Sequence, residues 1–88
     1  MIGRIKKRDE PVAVDLSNGR VAITLRDGRI VSMPISFFTW LDKATPEQQA
    51  NFEIYPDEIF WPDLEDGIDM YAFITGTWAK KRNVSEVG

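Results

Sequence analysis

Apolar residues alternate with polar or small ones through Val12, Val14 and Leu16, and again through Val21, Ile23 and Leu25. A period of two is the signature of a strand with one buried face. Asn18-Gly19, between the two runs, supplies the positive φ angles of a two-residue hairpin turn. Such a turn pairs Leu16 with Val21, Val14 with Ile23 and Val12 with Leu25, and puts all six on one face. Asp27-Gly28 marks a second hairpin, where loop length decides the register. A two-residue loop would turn Ser32 and Pro34 toward the apolar face. A three-residue loop, Arg26-Asp27-Gly28 with Gly28 left-handed, pairs Ile23 with Val31 and Val21 with Met33, so a G1-type bulge is expected. The first half thus predicts a meander of strands 11–17, 20–26 and 29–34, preceded by a short strand near 2–7.

Pro34 ends the meander and the period changes. Phe37, Trp40 and Leu41 recur at i, i+3 and i+4, which predicts a short helix over 37–43 capped by Ser36. Thr45-Pro46-Glu47-Gln48 is a helix start, with Thr45 as N-cap, Pro46 at the first helical position and Gln48 completing a capping box. That helix spans about 46–51. Phe52, Ile54 and Ile59 to Trp61 look extended, with Pro56-Asp57 turning the chain between them. Met70, Tyr71, Phe73 and Ile74 predict a last helix over 68–75, closed by Gly76 and capped by Asp66 or Asp69. The expected class is α+β: an antiparallel β-meander of three or four strands with two or three short helices packed on one face. Residues 1–78 form a single domain in this reading, and 79–88 a flexible tail.

Between the extended segments and the last helix lies Trp61-Pro62-Asp63-Leu64-Glu65-Asp66-Gly67-Ile68-Asp69, which joins four carboxylates to a large aromatic. A core segment does not hold four acids unless they are paired or solvated. The block is therefore either a structural corner or an exposed acidic surface. Charge along the whole chain sharpens the choice. Net charge is only −3, but no Lys or Arg falls between Lys43 and Lys80, where Glu47, Glu53, Asp57, Glu58, Asp63, Glu65, Asp66 and Asp69 lie. Arg4, Lys6, Lys7, Arg8, Arg20, Arg26 and Arg29 occupy the first third. Either the two halves neutralise each other in the fold, or a negative patch persists that steers a basic partner.

Composition narrows the chemistry. With 88 residues the chain suits one small domain, and 43% hydrophobic residues make it globular. Lacking cysteine, it has no disulfide framework and no thiolate chemistry, in keeping with a cytoplasmic location. Without histidine, the commonest general base and metal ligand are missing. No apolar run is long enough for a membrane span.

Placing Gly67 at the sixth position of an EF-hand loop sets Pro62 and Leu64 where oxygen ligands belong, so that template fails. A looser metal site at Asp63, Glu65 and Asp66 competes with plain capping and solvation, which need no ligand. Paired carboxylates for glycoside hydrolysis require a cleft that so small a domain rarely builds. Nucleic-acid binding through the basic N-terminal residues is opposed by the acidic second half. Those cations are better explained as protection of sheet edges. No residue is thus assigned a catalytic, cofactor-binding or metal-binding role, and the chain is expected not to be an enzyme. Trp61 and Trp40 belong to the core in this reading, while Trp78, beyond Gly76, is the candidate for an exposed contact.

Asp27-Gly28-Arg29, Val31-Ser32-Met33-Pro34, Phe38, Leu41, Ala44-Thr45-Pro46-Glu47-Gln48, Asn51-Phe52, the Trp61 to Ile68 block and Gly76 follow one another in an order that resembles a bacterial and phage family catalogued as domain of unknown function 2442. Gln49 stands where that family often has Arg, and Asp66-Gly67 where it usually has two acids. The resemblance implies a small α+β module, fused in some relatives to a helix-turn-helix and in many encoded beside another small protein, as toxin–antitoxin pairs are. It implies no catalytic residue. The expected function is a non-catalytic protein–protein interaction module, antitoxin-like or regulatory, that binds a small basic protein through Asp57, Glu58, Asp63, Glu65, Asp66 and Trp78. The alternatives are a phage-encoded inhibitor whose carboxylates mimic nucleic-acid phosphates, and a nucleic-acid-binding accessory domain. An unpaired meander edge also allows a homodimer.

Overall fold

A computed structural model describes residues 5–76 of the chain. The fold is α+β, with two three-stranded antiparallel sheets and three short helices. The first sheet is the meander β1 (Pro11–Asp15), β2 (Arg20–Leu25) and β3 (Ile30–Pro34), in the order β1-β2-β3. Helices α1 (Thr39–Asp42) and α2 (Pro46–Ala50) follow. The second sheet is β4 (Glu53–Tyr55), β5 (Glu58–Trp61) and β6 (Asp66–Asp69), ordered β4-β5-β6, and α3 (Met70–Thr75) closes the described chain.

Both turns take the conformations their residues favour. Asn18 and Gly19 have φ of 60° and 70°, the paired positive values of the hairpin turn expected there. At the second turn Gly28 has φ 98°, its amide donates to Leu25 O at 2.9 Å, and Leu25 N donates to Arg29 O at 2.8 Å. Ile23 lies opposite Val31 and Val21 opposite Met33, the register of the three-residue loop.

The first hairpin keeps its predicted register from Ala13 opposite Thr24, through Val14 opposite Ile23, to Asp15 opposite Ala22. A bulge at Val12 then places Pro11, not Val12, opposite Leu25. Pro11 is buried and Val12 is exposed. The reason is the segment before it: Glu10 O accepts from Arg26 N at 2.8 Å, and Arg8 O from Asp27 N at 3.2 Å. Docking that segment on the β2–β3 hairpin requires the extra residue, and a proline is tolerated where a strand begins or bulges. The strand expected near 2–7 is not formed among the described residues, where Lys7–Asp9 make a 3-10 turn. The tail over 79–88 lies outside them.

The helix expected over 37–43 is broken. Ile35–Phe37 form a 3-10 turn, Phe38 is non-helical (φ −119°, ψ 75°), and α1 starts only at Thr39. Ser36 therefore caps nothing; it lies inside the 3-10 turn. The break rotates the face by one residue, so Phe38 and Leu41 are buried while Phe37 is exposed. The second helix start is as expected: Thr45 Oγ1 accepts from Gln48 N at 3.1 Å, and Gln48 Oε1 accepts from Thr45 N at 3.0 Å.

The last helix starts two residues later than predicted, because Ile68 and Asp69 complete β6. Asp69 is the N-cap, its carboxylate accepting from Ala72 N at 2.9 Å, and Gly76 ends the helix at φ 75°. Asp66 is excluded from capping by its place at the head of the strand, opposite Trp61.

One core joins the two sheets. Val21, Ile23 and Leu25 of β2, Ile59 and Trp61 of β5, and Leu41 and Met70 are inaccessible to solvent, with Phe38, Ile68 and Phe73 nearly so. Trp61 meets Trp40 edge-on at 5.6 Å between ring centroids and Phe52 at 5.8 Å. Its indole N–H donates to Gln49 O at 3.0 Å, so burial leaves no unpaired donor. Gln49 fastens the same corner, its side-chain amide donating to Leu41 O at 2.9 Å. A neutral residue thus holds α1 to α2. No helix among the described residues is long and apolar enough to cross a membrane.

Candidate functional site

β5 divides the acidic block. Its buried face carries Ile59 and Trp61, and it runs between the Pro56-Asp57 turn at one end and the Pro62–Glu65 turn at the other. At a strand rise of about 3.3 Å per residue, those turns are roughly 15 Å apart. Asp57, Glu58 and Asp69 gather at the first end, Glu58 lying opposite Asp69 in the ladder. Asp63, Glu65 and Asp66 gather at the second. The acids expected from the sequence to form a single corner therefore lie at two separate ends of one sheet. Trp78 lies outside the described residues.

Local chemistry then sorts the carboxylates. Asp63 accepts from Asn51 Nδ2 at 3.0 Å, tying the β5–β6 turn to the end of α2. Glu65 holds the turn's left-handed position, φ 51°, where glycine or asparagine is at home. Leu64 N donates to Trp61 O at 3.1 Å, and Leu64 packs against the core. Asp66 accepts from Gly67 N at 2.8 Å through one oxygen. Asp57 contributes its backbone carbonyl, which accepts from Met70 N at 3.0 Å and fixes α3 to the β4–β5 turn. Asp63, Glu65 and Asp66 do not converge: among the described residues, no group of three or more acids is placed to hold a metal ion.

The first sheet settles where the positive charge goes. Arg26 pairs with Glu10 at 2.9 Å, and Arg29 pairs with Asp9 and, at 2.8 Å, with Asp27. Arg8 lies 3.9 Å from Asp9, and Arg20 donates to Ser32 Oγ at 2.6 Å across the strands. The Arg29 amide and guanidinium both donate to Asp27, which holds that carboxyl below its usual range. The two halves therefore do not neutralise each other through these contacts. Among the described residues, no ion pair involves Asp57, Glu58, Asp63, Glu65 or Asp66. In the second sheet the negative charge acts on its own neighbours: Glu53 accepts from the Tyr55 hydroxyl at 2.6 Å and, with Glu58 adding to the effect, raises the phenol's pKa.

Beside β6, an edge strand of the second sheet, a cleft of about 200 Å³ opens. Asp66, Gly67, Ile68 and Asp69 line one side, and Phe38, Trp40, Ala72 and Phe73 the other. Phe38 and Phe73 stack at 6.1 Å, and Phe38 meets Trp40 edge-on at 6.3 Å. Gly67 keeps this strand close to its neighbour. A Cβ there would stand 2.7 Å from Ile59 O and 3.0 Å from a Glu58 carboxylate oxygen. Sequence reasoning missed the cleft because Phe38 and Trp40 were assigned to a continuous helix and Ile68 to the start of another. The only sequence signal was Gly67, a glycine at a close approach between strands.

A small α+β module with an internally paired basic sheet and an outward acidic one is the class of protein that this fold and surface define. The chain belongs to the family described as protein of unknown function (DUF2442), whose sequence model matches residues 11–76. No curated protein and no solved structure matched the chain.

Proposed function

We propose that this protein is a non-catalytic interaction module whose second sheet binds a basic protein partner, in an antitoxin-like or regulatory role. The observation that carries the reading is the division of charge. Arg8, Arg26 and Arg29 are paired with Asp9, Glu10 and Asp27 within the first third of the chain, whereas Asp57, Glu58, Glu65 and Asp66 have no cationic partner among the described residues. Carboxylates left so are well hydrated and contribute little to folding, but they accelerate encounter with a basic surface and fix its register. Asp63 is the exception, being held by Asn51 as part of the turn.

The test compares the full chain with a variant carrying Asp57→Asn, Glu58→Gln and Glu65→Gln, each used to recover partners from its native source. The wild-type protein is expected to retain a basic protein that the still-folded variant loses, and raised salt should mimic the loss. Equal recovery by both proteins contradicts the reading.

A further inference from the structure

We propose that a groove between β1 and α2 seats one large apolar side chain, of leucine size or greater, from the basic partner. This rests on the interaction reading above and deepens it, since hydrated carboxylates speed encounter and fix register but add little affinity. Affinity in such interfaces comes mainly from a few apolar or aromatic anchors seated in pockets with a polar rim. The groove has a volume of about 260 Å³. Sites for drug-sized ligands run to about 300–1,000 Å³, so this one suits a single side chain. Val14 of β1, Leu16 just after it and Phe52 just before β4 are its half-buried part, each packed against the core. Pro46 and Ala50 of α2 form its exposed wall.

The wall is fixed before anything binds. The Thr45–Gln48 capping box holds the start of α2. Gln49 holds its end, the side-chain amide donating to Leu41 O and the backbone carbonyl accepting from the Trp61 indole. Pro and Ala have no side-chain freedom to lose, so little ordering opposes an incoming residue. Charge then selects the occupant. Asp15 lines the groove, and Glu47 and Glu53 directly follow the lining residues Pro46 and Phe52 in the chain. No Lys or Arg lines it, and among the described residues no ion pair involves these three acids. Asp15 accepts from the amide and hydroxyl of Ser17, and Glu53 from the Tyr55 hydroxyl, which are uncharged donors. Glu53 opens β4, which lies close to β1, so the groove borders the acidic sheet. An apolar side chain flanked by Lys or Arg matches both parts of this surface; one flanked by Asp or Glu would meet like charge.

The full chain would be titrated with acetyl-Lys-Lys-Leu-Lys-Lys-amide at low salt while amide and methyl resonances are followed. Comparison peptides carry alanine in place of leucine, or glutamate in place of every lysine. Saturable shifts are expected at Val14, Leu16 and Ala50, lost with the alanine peptide and weaker with the glutamate peptide or at raised salt. Ala50→Leu fills the groove from an exposed helix position. It should leave the thermal midpoint unchanged and weaken binding about tenfold, the scale of one lost side-chain burial. Asp15→Asn, which keeps an oxygen for Ser17, should weaken it about two- to threefold, the scale of a rim charge. If the alanine peptide binds as tightly, with shifts centred on Asp57 and Glu58, the groove as anchor is overturned while the acidic interaction reading stays intact. Equal binding of the glutamate peptide would overturn the basic occupant. No saturable shift with any peptide would overturn the anchor, and the recovery experiment above would decide the acidic reading by itself. A dimer in sedimentation that Ala50→Leu converts to monomer would show that a second copy fills the groove, and a partner's side chain is overturned.

Discussion

The two sheets have the same number of strands and the same antiparallel pattern but treat charge in opposite ways. In the first, hairpin tips and the preceding segment exchange ion pairs, with Arg26 on Glu10 and Arg29 on both Asp9 and Asp27. In the second, Glu58 stands opposite Asp69, a like-charge pairing that costs stability in a ladder. Asp69 is kept in that position by its other task, capping α3 through Ala72 N. The second sheet is instead held from beneath, by Trp61 and its neighbours, and its outward face is left to the charges. The difference teaches that in this chain the first sheet spends its charges on internal pairs, while the second relies on its buried face and leaves most of its carboxylates without a cationic partner among the described residues.

The largest expected effect breaks the buried side of the comparison. Trp61→Ala removes the ring that meets Trp40 and Phe52 and leaves Gln49 O without its donor. A loss of about 3–5 kcal/mol is expected in denaturant unfolding, a large share of a small domain's stability. Next comes Gly67→Ala. Its Cβ would lie 2.7 Å from the backbone oxygen of Ile59, which cannot move without spreading β5 from β6. About 1–3 kcal/mol should be lost, with the amides of residues 66–69 exchanging faster. Thr45→Ala, which opens the capping box, should cost about 1 kcal/mol and disturb neither sheet. Glu65→Gly has the opposite sign. It relieves a left-handed position held by a carboxylate residue, so thermal unfolding should show a gain of about 0.5–1 kcal/mol.

The smallest effects come from pH and have opposite signs in the two sheets. Asp27 is depressed below 3.8 by hydrogen bonds from Arg29. Its contribution is therefore present above the unfolded value and lost as pH falls through the folded one. Tyr55 is raised above 10 by its hydrogen bond to Glu53. That contribution is present below the unfolded value and lost as pH rises through the folded one. Phenolate absorbance should show Tyr55 titrating above the ordinary range, and Glu53→Gln should bring it back toward that range.

Much of the first sheet was legible because its information is local. Asn18-Gly19 and Asp27-Gly28 name their turns, and the requirement that Val31 and Met33 face inward selects a three-residue loop. Thr45 and Gln48 lie within one turn of each other, so the capping box was legible too. The bulge at Val12 was not, since it depends on Glu10 and Arg8 docking onto a hairpin some sixteen or more residues away in sequence. Phe37 is placed inward by a helical period that the non-helical Phe38 interrupts. β6 was illegible for a related reason. Gly67 has poor strand propensity, and only its place opposite Phe60 on β5 makes it a strand residue. With β6 unseen, the acids on either side of it merged into one corner, and the cleft beside it had no second wall.

The division of charge is tested most directly by neutralising each sheet in turn and comparing stability. One variant carries Asp9→Asn, Glu10→Gln and Asp27→Asn; the other carries Asp57→Asn, Glu58→Gln and Glu65→Gln. Denaturant midpoints, measured at low and high salt, should fall for the first variant, with the deficit shrinking as salt screens the wild-type pairs. For the second they should stay level or rise as self-repulsion is relieved. A second variant destabilised as much as the first would show that the acids of β4–β6 serve the fold, and would contradict the account.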